Sequence, residues 1–406
     1  MTVPIEDYAM IGDCRGAALV SKSGSIDWLC APRFDSPACF AALLGSDDNG
    51  YWSITPTEPA KVTRTYQGET MVLETLFETE RGAVALIDCL ARGGHSTHLI
   101  RMLECRRGRV SMRMDLVWRF DYGRVIPWVM HEKDCWRAIA GPQTARLYCS
   151  VPLRGENLRS VAEFEIAEGE RIPFTMTLNY SHLPAPIVNA PADHLKETEQ
   201  FWSAWSAQSR YGGPYRDAVQ RSLLVLKALT YEPTGGIVAA PTTSLPEKLG
   251  ATRNWDYRYC WLRDAAITLY ALMLAGYTEE AQSWRTWLLR AVAGDPARVQ
   301  VIYGIHGERR LPEFELDWLE GYAHSQPVRV GNAAHSQLQL DVFGEVMDAM
   351  HQCRRAKMDN DFSWSLEQKL LQFLEEHWRD SDEGIWEVRG PARNFTYSKI
   401  MAWVAF

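Results

Sequence analysis

The hydrophobic period changes once along this chain, and that change constrains the architecture more than any other feature. Up to Tyr180 the apolar residues recur every second position. Val110, Met112, Met114, Leu116, Trp118 and Phe120 alternate with Ser111, Arg113, Asp115, Val117 and Arg119. Phe174, Met176, Leu178 and Tyr180 repeat the pattern, and Met71–Phe77 and Ala83–Leu90 flank an Arg81-Gly82 turn. Period two is the mark of strands with one buried face, and many short strands with turns between them predict a sandwich. After Pro184, Pro186 and Pro191 the period becomes helical. Stripes run through Val219, Leu223, Leu226 and Leu229, then Leu262, Leu269, Leu272 and Met273. Two more run through Leu338, Val342, Val346 and Met350, and through Leu366, Leu370, Phe373 and Leu374. Asp193 is a candidate cap for a helix carrying Leu195, Phe201, Trp202 and Trp205. The expected division is a β-sandwich over 1–181, a linker with its helix over 182–210, and a helical domain over 211–406. The segment from Gly294 to Asn332 is too long for an ordinary helix connection and is expected to be functional or to hold structure of its own.

The chain of 406 residues has 51 acidic residues against 43 Lys plus Arg, a net charge of −8, with no basic block. That excludes an ordinary nucleic-acid binder. No apolar run reaches the ~18–20 residues of a membrane span, and the start lacks a signal-peptide pattern. Nine Cys without a C-x-x-C pair read as reduced thiols, so the expected location is cytoplasmic. Self-association is left open. Phe395–Phe406 is apolar and helix-like with no stop signal, which reads as a chain cut inside a helix.

The chemistry-bearing candidates lie in three clusters. The densest is Asn254-Trp255-Asp256-Tyr257-Arg258-Tyr259-Cys260-Trp261-Leu262-Arg263-Asp264, just before a helix. Asp264 in a first turn is favoured by the helix dipole alone, but aromatic faces interleaved with Arg and Asp are also what a sugar pocket needs. With 16 Trp in the chain, some rings are available to line such a pocket. The second cluster holds Glu308, Glu313, Glu315, Asp317 and Glu320, followed by Pro327-Val328-Arg329-Val330-Gly331-Asn332. A charge run of this kind reads first as a solvated face. In the third, Glu387 sits between Trp386 and Val388. A carboxyl against an aromatic wall has its pKa raised and suits a general acid, although an exposed hairpin Glu is the plainer reading. His95 and His98 sit three apart without a third ligand, so no metal site is expected. No phosphate loop, dinucleotide fingerprint or G-x-S-x-G elbow occurs.

These strings, together with Tyr8-Ala9-Met10-Ile11-Gly12-Asp13, Gly24-Ser25-Ile26-Asp27-Trp28-Leu29-Cys30, Pro32-Arg33-Phe34-Asp35-Ser36 and Gly384-Ile385-Trp386-Glu387-Val388-Arg389, resemble glycoside hydrolase family 15. This is the glucoamylase family, in its bacterial branch that also contains α,α-trehalases. The resemblance implies an N-terminal antiparallel β-sandwich (a trehalase-like N-terminal domain) followed by an (α/α)6 barrel, here incomplete. It implies exo-acting, inverting hydrolysis of terminal α-glucosidic bonds, with no cofactor and an α-glucoside, malto-oligosaccharide or trehalose, as partner. By motif position Glu387 is the general acid. Arg263 and Asp264 hold the innermost glucose, with Trp261, Trp255, Trp386 and Arg329 as further substrate-binding residues. Glu308, Glu313 and Glu315 fall outside the motif as bystanders.

An inverting mechanism needs a second carboxylate as general base. The resemblance places it beyond Phe406, so these 406 residues alone are expected to be inactive. Fungal members carry two adjacent carboxylates where this chain has Glu387 and then Val388, which leaves trehalose open beside maltose-like ends. A glucoamylase-type activity on α-1,4-glucosides is the first expectation and α,α-trehalase the second. The alternative from another class is a sugar-binding or regulatory protein that keeps the fold without the base.

Overall fold

The computed structural model describes residues 3–92, 94, 96–357 and 362–406. His95 lies outside them. Two compact units emerge. The first is Met1–Ala207 with Ser244–Asn254 and Asp317–Val328, and the second is Gln208–Thr243, Trp255–Leu316 and Arg329–Phe406.

The first unit is built on strands β1 (Tyr8–Gly12), β2 (Ala17–Ser21), β3 (Ser25–Cys30), β4 (Ala38–Phe40) and β5 (Tyr51–Pro56). They are followed by β6 (Lys61–Tyr66), β7 (Leu73–Glu78), β8 (Gly82–Ala91) and the long β9 (Thr97–Val117). β10 (Trp128–His131), β11 (Trp136–Ala140), β12 (Gln143–Cys149), β13 (Arg154–Glu156), β14 (Arg159–Ala167) and β15 (Arg171–Tyr180) complete the set. All pairings among them are antiparallel, and β9 is shared by two sheets. Its first half pairs with β8 and β15, its second half with β5 and β14. Val110, Met112, Met114 and Leu116 point into a core common to both sheets, with Leu86, Leu103, Trp52 and Met176. The alternation read from sequence is therefore the inward face of β9. That strand stops at Val117, so buried Trp118 and Phe120 lie past its end.

Arg101 and Asp88 are fully buried inside this core. The Arg101 guanidinium donates to Asp88 Oδ1 at 2.8 Å and to the carbonyls of Trp52 and Gly24 at 2.6 and 2.7 Å. A charge removed from water is tolerated only with partners of this quality. The partners here come from both sheets, so the ion pair also fixes their alignment.

Helix α1 (Pro191–Ser206) lies against the sheet that holds β8 and β15, with Leu195 on a patch of Val72, Ile87, Cys89, Ile100 and Met102. Its N-cap is Ala190, with Pro191 as first residue, so Asp193 is in the first turn and does not cap. Here His194 meets His98 of β9, their ring centres 5.2 Å apart and each ring almost fully buried. His98 Nε2 has Ser96 Oγ at 2.9 Å, whereas His98 Nδ1 and both His194 nitrogens have no hydrogen-bond partner.

The second unit holds α2 (Arg216–Ala228), α3 (Leu262–Ala275), α4 (Glu279–Ala291), α5 (Asp341–Arg355), α6 (Phe362–His377) and α7 (Thr396–Ala405). Three of the four sequence stripes fall within α2 (apart from its C-cap, Leu229), α3 and α6. The fourth lies on α5 except for Leu338, which precedes it. The segment after Gly294 contains short paired stretches, Ile302–Tyr303 with Cys260–Trp261 and Phe314–Glu315 with Arg329–Val330. The long connection thus does carry structure, and it frames the site. Among the described residues no helix is long and apolar enough to cross a membrane. None of the nine cysteines is joined in a disulfide, and all but Cys149 are buried.

Candidate active site

The string from Trp255 to Asp264 is fixed first through Asp256. This fully buried carboxylate takes Arg258 through its guanidinium Nε and Nη2, at 2.9 and 2.7 Å. It also accepts the Gly331 amide at 3.2 Å, while Asn332 Nδ2 donates to the Asp256 carbonyl at 3.3 Å. The two motif segments are thereby laced together. Gly331 has φ +79°, and an added Cβ would lie 1.9 Å from the Pro312 carbonyl oxygen, so only glycine fits the crossing.

Trp261 is the extended residue that caps α3, paired with Ile302 and packed among Tyr259, Val301 and Leu311. Arg263 and Asp264 follow in the first turn of α3. Arg263 Nε lies 3.4 Å from Asp264 Oδ1, and Arg263 Nη1 donates to the Ile385 carbonyl at 3.5 Å.

Glu387 arrives from the loop before α7. The loop is anchored at Asp382, whose backbone exchanges hydrogen bonds with Arg393 and whose Oδ2 accepts the Leu340 amide. Glu383 Oε2 accepts the Leu338 amide at 2.9 Å. The chain then turns so tightly that Glu387 adopts φ +50°, a left-handed conformation unusual for a non-glycine residue. Its side chain is 22% exposed, and Oε1 accepts the Trp261 indole N–H at 2.6 Å, with Arg263 Nη2 at 3.9 Å. The exposed-hairpin reading of Glu387 is thus overturned. The aromatic wall is Trp261, because Trp386 is 73% exposed.

Burial pushes the Glu387 carboxyl above the usual carboxylate range, the Trp261 N–H and Arg263 pull it back, and Asp264 adds to the rise. Burial also raises Asp264, against the pull of Arg263. A carboxyl held toward its protonated form, beside a guanidinium and a second carboxyl, suits proton donation to a bound neutral ligand.

Of the residues singled out from sequence, the structure brings Trp261, Arg263, Asp264 and Glu387 into one group. Arg329 and Trp255 belong to a second. Arg329 stands over the Trp255 ring at 4.6 Å and pairs with Glu313 at 3.6 Å and Glu315 at 3.4 Å. Glu313 is the hub of this group: it takes Arg389 through both oxygens at 2.7 and 2.6 Å and accepts the Ala333 amide. The reading of this charge run as a solvated face missed Glu313, whose side chain is 14% exposed. Sequence reasoning also missed Asp341, Glu345 and Tyr397. Asp341 and Glu345 are buried one turn apart on α5, and the Tyr397 hydroxyl donates to Glu345 at 2.6 Å. Their spacing of four on a helix was the available signal. Among the described residues no three His, Cys, Asp or Glu side chains are grouped to hold a metal ion.

Residues 213–406 match the glycosyl hydrolases family 15, and residues 1–151 match the trehalase-like N-terminal family. The chain is 36% identical to a trehalase of Mycolicibacterium smegmatis, over 99% of this chain and 65% of that protein. It is 34% identical to trehalase 1 of Sulfolobus acidocaldarius, over 99% of this chain and 70% of that protein. A bacterial glucoamylase solved with acarbose shares the fold, with a TM-score of 0.64 at 12% identity over 95% of this chain and 60% of that one. The chain thus spans slightly less than two thirds of the length of the mycobacterial relatives it matches, 65% and 64%. From these matches and the way its motif segments converge, the chain belongs to glycosyl hydrolases family 15.

Proposed function

We propose that this protein hydrolyses an α-glucosidic bond with inversion, and that its substrate is α,α-trehalose. The observation that carries the reaction is Glu387, raised by burial and bonded to Trp261 beside Arg263 and Asp264. In this reading Arg263 and Asp264 hold the hydroxyls of the glucose whose C1–O bond breaks. Glu387 gives its proton to the leaving oxygen. Water attacks C1 from the opposite face as a second carboxylate takes its proton. That base belongs, in this proposal, to the part of the relatives' length that the chain does not span. The accompanying domain assignment is the sandwich at 1–181, a linker at 182–210 and the first part of an (α/α)6 barrel at 211–406.

Trehalose is preferred over α-1,4-glucosides because the full-chain relatives at 31–36% identity are named trehalases. The likeness to a glucoamylase concerns the fold. The test is glucose release from trehalose and from maltose by the full-length gene product, with proton NMR of the fresh products. Trehalose should be cleaved faster and should yield one β- and one α-glucose. Glu387→Gln should lower turnover by about 10²–10⁴-fold while sugar binding persists. Two α-glucose products, or turnover unchanged in Glu387→Gln, would refute the reading; faster cleavage of maltose would return the substrate to α-1,4-glucosides.

A further inference from the structure

The polar groups around Glu387 fall into two sets. Arg263 and Asp264 form one, with Arg263 Nη2 3.9 Å from the carboxyl. The other begins two residues further along the chain, at Arg389. Its guanidinium grips both oxygens of Glu313, at 2.7 and 2.6 Å, and lies 3.9 Å from the centre of the Trp255 ring. Arg329 occupies the same ring at 4.6 Å and pairs with Glu313 and Glu315. At least one face of Trp255 is therefore covered by guanidinium, so this ring supports arginines before it offers a surface to a sugar.

The set has a buried base and one open edge. The Glu313 and Arg329 side chains are 14% and 12% exposed, and that of Arg389 is 37% exposed. Burial raises the Glu313 carboxyl, but the Arg389 bonds, the Ala333 amide and Arg329 outweigh it and hold it below the usual range. Glu313 thus remains ionised and keeps the Arg389 plane fixed. Two guanidinium N–H groups are used on Glu313. The others are left for a ligand, since a planar guanidinium has donors on both edges. Two arginines against two carboxylates leave the cluster without surplus charge. It suits a neutral, hydroxyl-rich ligand better than a phosphorylated one.

A disaccharide has a sugar on each side of the oxygen that an acid protonates, and one set of groups holds only one of them. We propose that Arg389, fixed by Glu313 and Trp255, binds the departing sugar and selects substrates whose leaving group is an uncharged glucose. This rests on the hydrolytic reading of Glu387 above. Arg389 is then a specificity determinant, and Glu313 and Trp255 are positioning residues.

The test compares two substrates in the full-length gene product. Trehalose has a sugar leaving group, and 4-nitrophenyl α-glucoside has none. Arg389→Ala should lower kcat/KM for trehalose by about tenfold or more, the loss expected for hydrogen bonds from a charged donor. The aryl glucoside should change by less than about threefold, and so should inhibition by glucose. Glu313→Gln, which loosens the clamp, should move the same ratio in the same direction. Arg389→Lys keeps a charge without the fork and should fall between. Equal losses on both substrates, or no loss on trehalose, would overturn the proposal. If Arg389→Ala fails to fold, Arg389→Lys and Glu313→Gln decide by the same ratio. If the parent cleaves neither substrate, the hydrolytic reading fails and calorimetry with trehalose and glucose decides this one. Trehalose binding lost in Arg389→Ala while glucose binding stays would sustain it, and absence of binding in the parent would end both.

Discussion

The indole nitrogen of Trp261 and the carboxylate of Glu387, 126 positions apart in sequence, meet at 2.6 Å. An N–H donated to a carboxyl favours its charged form and so opposes the rise that burial causes. A general acid works only while protonated, so activity is lost as pH rises through its pKa. Trp261→Phe keeps an aromatic side chain and removes the donor. The alkaline limb of the kcat/KM profile should therefore move to higher pH. A limb that stays in place, or moves down, would show that Glu387 is not the group titrating there.

Arg263→Lys and Asp264→Asn should weaken binding of glucose by about tenfold with little change in melting temperature. Lysine cannot reproduce the planar fork, and neither substitution alters size enough to disturb α3. Calorimetry with glucose and a thermal melt decide it. A collapsed melting temperature with unchanged affinity would assign the pair to helix capping.

Asp341 is almost fully buried, and its Oδ1 has no hydrogen-bond partner. Burial pushes its carboxyl up to about 6, with Asp382 and Glu345 adding to the rise and Arg263 opposing it. The folded chain then holds this proton more tightly than the unfolded chain does. The stabilisation is present at low pH and is lost as pH rises from about 4 to about 6, by about 3 kcal/mol in all. Asp341→Asn should therefore melt higher than the parent at pH 7.5, with the gain shrinking at pH 4.5. An equal difference at both values would contradict this.

The His98 and His194 pair has the opposite sign. Burial, and then His194 beside it, lower the His98 pKa from 6.5 to about 4. The folded state keeps His98 neutral, so its full stability holds above pH 6.5 and is lost as pH falls through 4. The loss is about 3 kcal/mol. Urea melts across that range should show it, and His98→Gln should flatten the dependence. Parallel curves for parent and variant would refute it.

How much was legible depended on which faces are buried. The second half of β9 has one polar face and was read from its alternation. The first half, Thr97–Leu103, is buried on both sides and offers no period. Helix α4 carries Ala281, Trp284, Trp287, Leu288 and Ala291 at helical spacing, with buried Arg285 interrupting the stripe. At the site, Arg263 and Asp264 were legible because they are neighbours. The join of Trp261 to Glu387 was not, because local spacing says nothing about partners brought together by the fold. Glu313 was hidden for a different reason: a carboxylate that clamps two arginines looks, in a line of letters, like one that faces water.

The backbone of Glu387 has a consequence for evolution under different pressures. A left-handed conformation at a residue that carries a Cβ costs about 1–3 kcal/mol, and glycine or asparagine would relieve much of it. The position therefore trades durability for chemistry. A library screened for heat resistance alone should accumulate Gly or Asn at 387, whereas one screened for turnover should keep Glu. The same codon would drift in opposite directions under the two selections.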